Sequence, residues 1–356
     1  MSDLKNNNGF AFFAAANSGE GFVSFFDKIF DAEKLSRRYL IKGGPGTGKS
    51  TFMRRVAAVA ESGGSFVEYY HCSSDPSSLD GIIIDGTVAL IDSTAPHALE
   101  PCIVGARDSI VDLGAFWNED ALAEKYSEIK SLSEKKKRAY RLAYRFLSAS
   151  MQSDIAAREF FFPYVSASRL ERVARRLTRG IGRGAGYEQG VAISSAVGMS
   201  GRCDLESYEK MASQTVYIED YYGLGFLLLS QICNFAVQNE NKIRVSYTPL
   251  CPDLPDAVYF EEEGVAFVVC GGERSEKKKR VSLRRALDLS SLTQKEKRSL
   301  RERARGAKKL SDALIDAACE ELSVAGEAHF ELERIYYSAM DFSALDSFFD
   351  EFIKRL

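Results

Sequence analysis

The amino-acid sequence predicts an α/β fold in which two tandem copies of one unit each carry a helical segment. Three observations predict this fold. A glycine-rich loop joins a strand-length apolar run to a helix-forming run, further short apolar runs follow, and features of the first half recur in the second. The length of 356 residues is sufficient for about two domains.

The glycine-rich loop, residues 43–51, is the most specific motif in the chain. It matches the pattern G-x-x-x-x-G-K-[ST]. An apolar strand at residues 39–41 enters the loop and an amphipathic run from Phe52 leaves it, which is the order that a phosphate-binding loop requires. We therefore predict a P-loop NTPase unit, a three-layer sandwich, that contacts nucleotide through Gly43, Gly44, Pro45, Gly46, Thr47, Gly48, Lys49, Ser50 and Thr51.

Two side chains of the loop and one aspartate carry the expected chemistry. The Lys49 ammonium is placed to bridge the β- and γ-phosphates, and the Ser50 hydroxyl suits Mg²⁺, which prefers oxygen ligands. Four apolar residues precede Asp92, so its carboxylate is a Walker B candidate that holds the Mg²⁺ shell through water. The predicted cofactors are ATP, or another nucleoside triphosphate, and Mg²⁺. Ser50 and Asp92 form the predicted metal site, and Lys49 and Asp92 are predicted catalytic residues.

Further polar side chains lie near the ends of the second and third strands of the first unit, where ligands of open α/β sheets bind. His71 and Asp75 follow the second strand, Asp80 opens the next one, and His97 follows the third. Because histidine titrates near neutrality and a carboxylate can accept a proton, His71, Asp75 and His97 are catalytic candidates. Structural alternatives stay open, since Asp75 before Pro76 also suits a helix N-cap and Asp80 also suits a turn.

Helix and turn patterns set the expected organisation of the chain. Residues 9–16 are predicted as a strand and residues 21–30 as a short helix, whereas the chain is strongly helical from about 119 to 176. A glycine-rich and arginine-rich segment at 178–186 breaks this pattern. We predict a P-loop domain over 1–178 with its helical appendage at about 119–176, and a second domain over 187–356 with its appendage at about 292–356.

Cationic rows lie on the predicted helices. Arg138, Arg141 and Arg145 share one helical face, and a second group of arginines runs from Arg169 to Arg183. Such rows suit a phosphate clamp or an arginine finger, but a solvated helix face is the more common explanation.

The repeat is indicated by the order of its matched residues. A shift of 177 positions aligns Ile41 with Ile218, Gly48 with Gly225 and Tyr70 with Tyr247. Small slips in this shift align Asp80 with Asp256 and residues 110–113 with residues 286–289.

The second copy lacks the residues that make the first loop reactive. Phe226, Leu227 and Val269 replace Lys49, Ser50 and Asp92, and the acidic pair Glu219 and Asp220 stands where a phosphate would bind. We therefore predict a degenerate second copy that packs against the first within the chain and binds no nucleotide.

Composition limits the remaining partners. The net charge of −3 and the pI near 5.9 give no global attraction to nucleic acid or to anionic membranes, so a nucleic-acid partner is not expected. No apolar run reaches the length of a membrane span, and residues 1–8 lack the apolar core of a signal peptide. We expect a cytoplasmic protein without a membrane partner.

The chain resembles a group of bacterial tandem P-loop proteins that are described as ATPases or as nucleotide-kinase-like. The resemblance spans nearly the whole chain and is carried by residues 41–51, 70–76, 91–97 and 113–117. It implies a nucleotide-binding P-loop in the first unit. In that group the second unit can carry its own intact P-loop, and this sequence departs from the group there.

Three functions follow from these observations. A Mg²⁺-dependent ATPase is favoured, although Ser93 stands where ATPases of the additional-strand class often carry a water-activating glutamate. A kinase acting on an unidentified small acceptor is favoured by the short interval between Lys49 and Asp92. The third function is an ATP-binding scaffold without turnover.

Overall fold

The computed structural model describes residues 9–270 and 279–356 and confirms the α/β class. The N-terminal leader, residues 1–8, lies outside the described residues. The first half contains β1 Phe10–Phe13, β2 Ala15–Ser18, β3 Gly21–Ser24, α1 Phe26–Ile29, β4 Arg37–Lys42, α2 Lys49–Ser62, β5 Val67–His71, β6 Leu79–Ile84, β7 Val88–Asp92, β8 Asp108–Asp112, α3 Glu119–Glu124, α4 Tyr126–Glu159 and α5 Ala167–Leu177.

The second half presents a matching series of elements. It contains β9 Glu188–Val191, β10 Ser195–Gly198, β11 Gly201–Asp204, α6 Ser207–Met211, β12 Gln214–Glu219, α7 Gly225–Gln238, β13 Lys242–Tyr247, β14 Pro255–Phe260, β15 Val265–Cys270, β16 Lys279–Ser282, α8 Gln294–Ser338 and α9 Phe342–Ile353. Short 3₁₀ turns at Leu113–Phe116 and Leu283–Ala286 follow β8 and β16.

Two mixed sheets of six strands form the centre of the molecule. The strand order of the first sheet is β1-β5-β6-β7-β4-β8, and that of the second is β9-β13-β14-β15-β12-β16. Only β6 and β14 run antiparallel to their neighbours among the described strands of these sheets. The two orders are the same when strands are counted from the start of each half. β4, which enters the glycine-rich loop, pairs directly with β7 and β8.

The helix after the loop is held by one apolar face. Phe52, Met53, Val56 and Ala57 of α2 are buried, and they recur at the spacing that places side chains on one side of a helix. Each of the larger side chains contributes about 1.5–3 kcal/mol when fully buried. This packing fixes the start of α2 against the sheet, and with it the end of the loop.

The terminal helix of each half packs against the sheet of the other half. Leu345, Phe349 and Phe352 of α9 join the core formed by Phe52 and the first sheet. Leu170 and its neighbours on α5 join the core of the second sheet in the same way. Isolated bridges pair Trp117 with Met340 and Val165 with Leu287. The helical segments therefore follow each sheet in sequence, as expected, but each terminal helix completes the opposite half in space.

The long helices α4 and α8 cross between the halves. The Ser150 and Ser311 hydroxyls lie 2.9 Å apart near the middle of the crossing, and the Lys308 ammonium lies 3.3 Å from the Asp154 carboxylate. Because residue numbers rise on one helix as they fall on the other, the two helices are antiparallel. This crossing brings the C-terminal part of α8 over the glycine-rich loop of the first half.

Three expectations about local structure are wrong. Residues 21–30 are a strand followed by a short helix, because β3 pairs with β2 around Gly21, whose φ is +101°. The second wrong expectation is the alignment of Tyr70 with Tyr247. Sheet register aligns His71 with Tyr247 instead, because His71 and Tyr247 are both the last residue of their strand and both follow an irregularity in the pairing.

The third wrong expectation is the alignment of residues 110–113 with residues 286–289. Val111 pairs with Ile41 and Val281 pairs with Ile218, so the structural counterpart is residues 280–283. The shift of 177 itself holds near the loops, where Asp92 pairs with Ile41 and Val269 pairs with Ile218.

All seven cysteines are free; Cys251 and Cys270 are buried, and Cys102 is exposed. Within the described ranges, no helix combines the length and the apolar character needed to cross a membrane.

Candidate functional site

The glycine-rich loop turns tightly between β4 and α2. Gly43, Gly46 and Gly48 adopt φ values of +149°, +69° and +85°, which side chains with a Cβ rarely adopt. A Cβ at Gly46 would lie 2.3 Å from the carbonyl oxygen of Glu333 on α8. The loop therefore needs glycine both for its own conformation and for its contact with the second half.

Lys49 occupies the first position of α2 and folds back over the loop. Its ammonium donates to the carbonyl oxygens of Gly43 at 3.0 Å and Gly44 at 2.8 Å, and it lies 3.7 Å from Oδ2 of Asp92. The Thr47 hydroxyl also donates to the Gly44 carbonyl, at 2.9 Å. A cation is thus held at the helix N-terminus, where backbone amides and the helix dipole favour an anion.

Ser50 and Asp92 line the same cavity as this cation. The direct pairing of β4 with β7 places Asp92 next to the end of β4. Its Oδ1 accepts hydrogen bonds from the amide (3.1 Å) and the hydroxyl (2.6 Å) of Thr94, which orients the carboxylate. The Ser50 hydroxyl accepts a bond from the Leu79 amide at 3.0 Å. The predicted residues Lys49, Ser50 and Asp92 are therefore brought together.

A cavity of about 1020 Å³ opens over the loop. All nine residues from Gly43 to Thr51 line it, and its far wall is formed by α4, α8 and α9. Trp117 and Tyr336 stand against Gly44 at its edge. The site therefore lies between the two halves of the chain rather than within the first half alone.

His97 lines this cavity with two buried ring nitrogens that have no hydrogen-bond partner among the described residues. Its ring stacks on Phe26 with a centroid separation of 4.5 Å and lies 6.0 Å from Phe22. Buried polar atoms are normally paired, so an unpaired imidazole in a cavity is a candidate for ligand or proton contact.

Asp80 is buried in the same cavity wall. Burial raises the pKa of its carboxyl to about 6, the nearby imidazole of His97 opposes this shift, and the negative charge of Asp92 adds to it. Asp80 lies at the start of β6, so the turn suggested by the sequence is not what places it. A carboxyl with a pKa close to neutrality can exchange protons under physiological conditions.

Asp75 also lines the cavity, but its Oδ1 is engaged locally. It accepts hydrogen bonds from the amide (3.0 Å) and the hydroxyl (2.7 Å) of Ser77. No helix begins here, because residues 76 and 77 form a turn, so the alternative of a helix N-cap is wrong. The carboxylate holds the loop between β5 and β6.

His71 lies outside the cavity lining. Its side chain is buried, and Nδ1 lies 2.7 Å from the carbonyl oxygen of Pro76. Burial lowers the pKa of the imidazole to about 4, so it is neutral at physiological pH and donates from Nδ1. This geometry favours a structural role in the loop between β5 and β6.

A chain of polar groups on the far wall could not be assigned from the sequence. The Lys136 ammonium on α4 lies 3.1 Å from Nδ1 of His329 on α8, and Nε2 of His329 lies 3.4 Å from the Glu333 carboxylate. Burial lowers the pKa of Lys136, and the positive charge of Lys49 lowers it further. Cations therefore face each other across the cavity.

The sequence indicated that this helix is basic, but not which of its cations faces the cavity. Lys136 belongs to the basic run on the predicted helix, but Arg138, Arg141 and Arg145 share an exposed face, as a solvated row would. Which cation faces the cavity depends on how α4 packs against α8, and helical spacing alone does not determine this.

The corresponding loop of the second half is occupied by its own side chain. Oδ1 of Asp220 accepts a hydrogen bond from the Tyr222 amide at 3.0 Å, and Oδ2 accepts one from the Gly225 amide at 2.5 Å. Phe226, at the position of Lys49, lies beneath the Arg158 guanidinium at 5.8 Å. An internal carboxylate thus takes the place at the start of α7 where an anion would bind.

Searches against family models, curated proteins and solved structures find no match to this chain. Functional assignment therefore depends on the geometry of the loop and of the side chains around it.

Proposed function

We propose that the first half binds a nucleoside triphosphate, ATP by preference, together with Mg²⁺, and hydrolyses it. The observation that carries the proposal is the loop of residues 43–49, in which three glycines of positive φ lead into α2 and Lys49 stands 3.7 Å from Asp92. In this proposal the first sheet, with α2 and α9 on one face and α1 with the second half on the other, is a P-loop NTPase sandwich.

The residues present fit both cofactors. Successive loop amides at a helix N-terminus bind phosphate oxygens, and Lys49 adds a charge-assisted hydrogen bond. Ser50 and Asp92 supply a hydroxyl and a carboxylate, and Mg²⁺ commonly takes one or two such ligands with water and phosphate oxygens. Mg²⁺ would neutralise charge that develops on the phosphates.

Hydrolysis assigns separate tasks to the surrounding side chains. Lys49 orients the phosphates, and Thr94 fixes Asp92 for metal contact. Asp80 and His97, which lie in one another's electrostatic field, are the candidates to orient a water molecule and accept its proton. Asp75 and His71 support the loop between β5 and β6, which leads to Asp80.

The second half is a non-catalytic copy in this proposal. Two observations support this proposal. The two sheets have the same strand order, and Asp92 pairs with Ile41 of β4 just as Val269 pairs with Ile218 of β12. The Asp220 carboxylate at the start of α7 would repel a phosphate. The half contributes walls to the nucleotide cavity through α8 and α9.

One observation favours a second candidate, a phosphotransferase that acts on a small acceptor. β4 pairs directly with β7, with no strand between them. This direct pairing agrees with the short interval between Lys49 and Asp92, which favours a kinase. An acceptor would bind on the side of Lys136 and Arg334.

The test uses purified protein and ATP labelled at the γ-phosphate, with Mg²⁺. Free labelled phosphate that accumulates without an acceptor supports hydrolysis, and label that appears only on added nucleotides or sugars supports phosphotransfer. Tight binding with neither product indicates a scaffold. Lys49→Ala is the control for contaminating ATPases. Absence of ATP binding by the folded wild-type chain contradicts the proposal.

A further inference from the structure

Positive charge is concentrated in two segments of the chain. Residues 166–183 and 279–309 hold 18 of the 47 Lys and Arg residues but only 4 of the 50 Asp and Glu residues. The rest of the chain is therefore strongly acidic. The net charge of −3 conceals an uneven distribution, and it is the local field that attracts a charged partner.

The two basic segments meet on the surface of the second half. The Ser166 amide at the start of α5 donates to the Ala286 carbonyl at 2.9 Å. The Arg169 guanidinium lies 3.2 Å from the Asp288 carboxylate. The turn Leu283–Ala286 thus lies beside α5, and the chain runs from it into α8.

Most of these cations are available to an external partner. Eleven are exposed and have no acidic partner within residues 9–270 and 279–356, namely Arg172, Arg176, Arg179, Lys279, Arg284, Arg285, Lys295, Arg301, Arg303, Arg305 and Lys309. Guanidinium groups dominate the set, and their flat, multidentate donors suit phosphate oxygens and aromatic faces.

Aromatic rings stand among these cations. Phe162 and Tyr221 are 53% and 48% exposed. The Arg284 guanidinium lies 4.3 Å from the centre of the Tyr221 ring, and that of Arg303 lies 4.3 Å from the centre of the Phe160 ring. Rings and guanidinium planes are the two surfaces on which unstacked bases pack.

We propose that this basic and aromatic surface, formed by α5, the turn Leu283–Ala286 and the first part of α8, binds single-stranded nucleic acid. The cations would follow the phosphate backbone, while Phe162 and Tyr221 would stack on bases. A single strand fits better than a duplex because only unpaired bases expose their faces to such rings. The surface packs on the second sheet and shares no residue with the lining of the cavity that contains Lys49, so its binding can be measured separately from that of nucleotide.

The test measures fluorescence anisotropy of a labelled oligothymidylate of about 20 nucleotides, long enough to cover a typical single-strand site. The full chain should bind it, and the affinity should fall at least about tenfold between low and physiological salt, because bound counterions are released. Combining Arg172→Glu, Arg176→Glu and Arg179→Glu should weaken binding at least about tenfold.

A matched control is Arg138→Glu, Arg141→Glu and Arg145→Glu on α4, which changes net charge equally. These arginines are also exposed, and by helix rise they lie roughly 20 Å or more from the end of α4. The control should retain binding. Equal weakening by both triple variants would overturn the proposal, because it would show a dependence on total charge alone.

Two further measurements separate this surface from a general anion-binding face. Phe162→Ser should weaken oligothymidylate binding about fivefold at fixed salt, as expected for loss of one stacking contact. The chain should bind a duplex of the same length less tightly. Absence of oligonucleotide binding, or preferential binding to phosphatidylserine vesicles, would contradict the proposal.

Discussion

The two loops that follow β4 and β12 start from the same place in their sheets and differ in what fills them. In the first, Lys49 lies over an open cavity and its neighbours are backbone carbonyls and Asp92. In the second, Asp220 binds the amides at the start of α7 and Phe226 replaces the lysine. The comparison teaches that two loops at the same place in sheets of the same strand order can be stabilised differently, one by a lysine that folds back over its carbonyls and the other by a carboxylate that accepts from its amides.

The largest expected effect comes from removing the cation of the first loop. Lys49→Ala should reduce nucleotide binding or turnover at least about tenfold, because hydrogen bonds to charged groups contribute about 1.5–3 kcal/mol each. Titration calorimetry with MgATP measures this loss. Lys137→Ala, an exposed lysine of α4, is the control. Unchanged affinity and rate in folded Lys49→Ala would remove the loop from the nucleotide site.

The metal residues should respond differently from Lys49. Ser50→Ala and Asp92→Asn should each reduce Mg²⁺-dependent activity more than they reduce nucleotide binding in EDTA, because only the metal contact is lost. Activity is measured across a Mg²⁺ titration. Wild-type behaviour of Asp92→Asn would show that the Walker B assignment is wrong.

His97 should matter for the reaction and not for binding. His97→Ala is expected to slow hydrolysis or phosphotransfer while ATP affinity stays close to that of the wild type, since the imidazole faces the cavity beside Asp80 rather than the loop amides. Single-turnover rates separate the two quantities. A normal rate would return His97 to a structural role.

The buried Asp80 and the partly buried Asp256 occupy equivalent positions in the two halves. Burial raises the pKa of Asp80 and of Asp256 to about 6, from an ordinary value near 3.8. The pKa of each carboxyl is higher in the folded chain than in the unfolded chain. The contribution of the neutral carboxyl to folding stability is therefore fully present below pH about 3.8 and is lost as the pH rises through about 6. Each ionised carboxylate then costs about 3 kcal/mol of folding free energy.

Substitution of either aspartate should therefore raise stability at alkaline pH. Asp80→Asn and Asp256→Asn should increase the melting temperature at pH 8 and change it little at pH 4, and only Asp80→Asn should also lower turnover. Thermal melts at both pH values and an activity assay measure this. Loss of turnover in Asp256→Asn would contradict the separation of roles between the halves.

The smallest expected effect concerns the far wall. Lys136→Met should weaken MgATP binding severalfold and MgADP binding less, because its ammonium faces Lys49 across the cavity and would approach the outermost phosphate. Lys135→Met, exposed on the same helix, is the matched control. Equal losses for ATP and ADP would assign Lys136 to packing alone.

Local patterns predicted the parts of the molecule that depend on neighbouring residues. The strand, loop and helix around Lys49 follow from glycine positions and apolar spacing within about 25 residues. Over such a short stretch of sequence, the pattern of residues largely determines the local structure. The helix predicted at residues 21–30 shows the limit, because only Phe26–Ile29 are helical. The apolar residues at 22, 23, 25 and 26 satisfy a helical pattern, but pairing with β2 determines the backbone of residues 21–24.

The long-range parts could not be predicted from such patterns. His329 and Glu333 reach the loop only because α4 and α8 cross, and α9 covers α2 only because the terminal helices exchange between halves. The proposed replacement of Lys49 by Phe226 is supported by strand register, since β4 pairs with β7 in the same register as β12 with β15. It did not indicate that Asp220 would bind the amides of its own helix.

Calorimetric titration of the full chain with MgATP tests the central difference between the loops most directly. We predict one nucleotide per chain, and none in Lys49→Ala, because the Asp220 carboxylate blocks the second loop. Two equivalent sites per chain, or one site that persists in Lys49→Ala, would contradict the assignment of nucleotide binding to the first half alone.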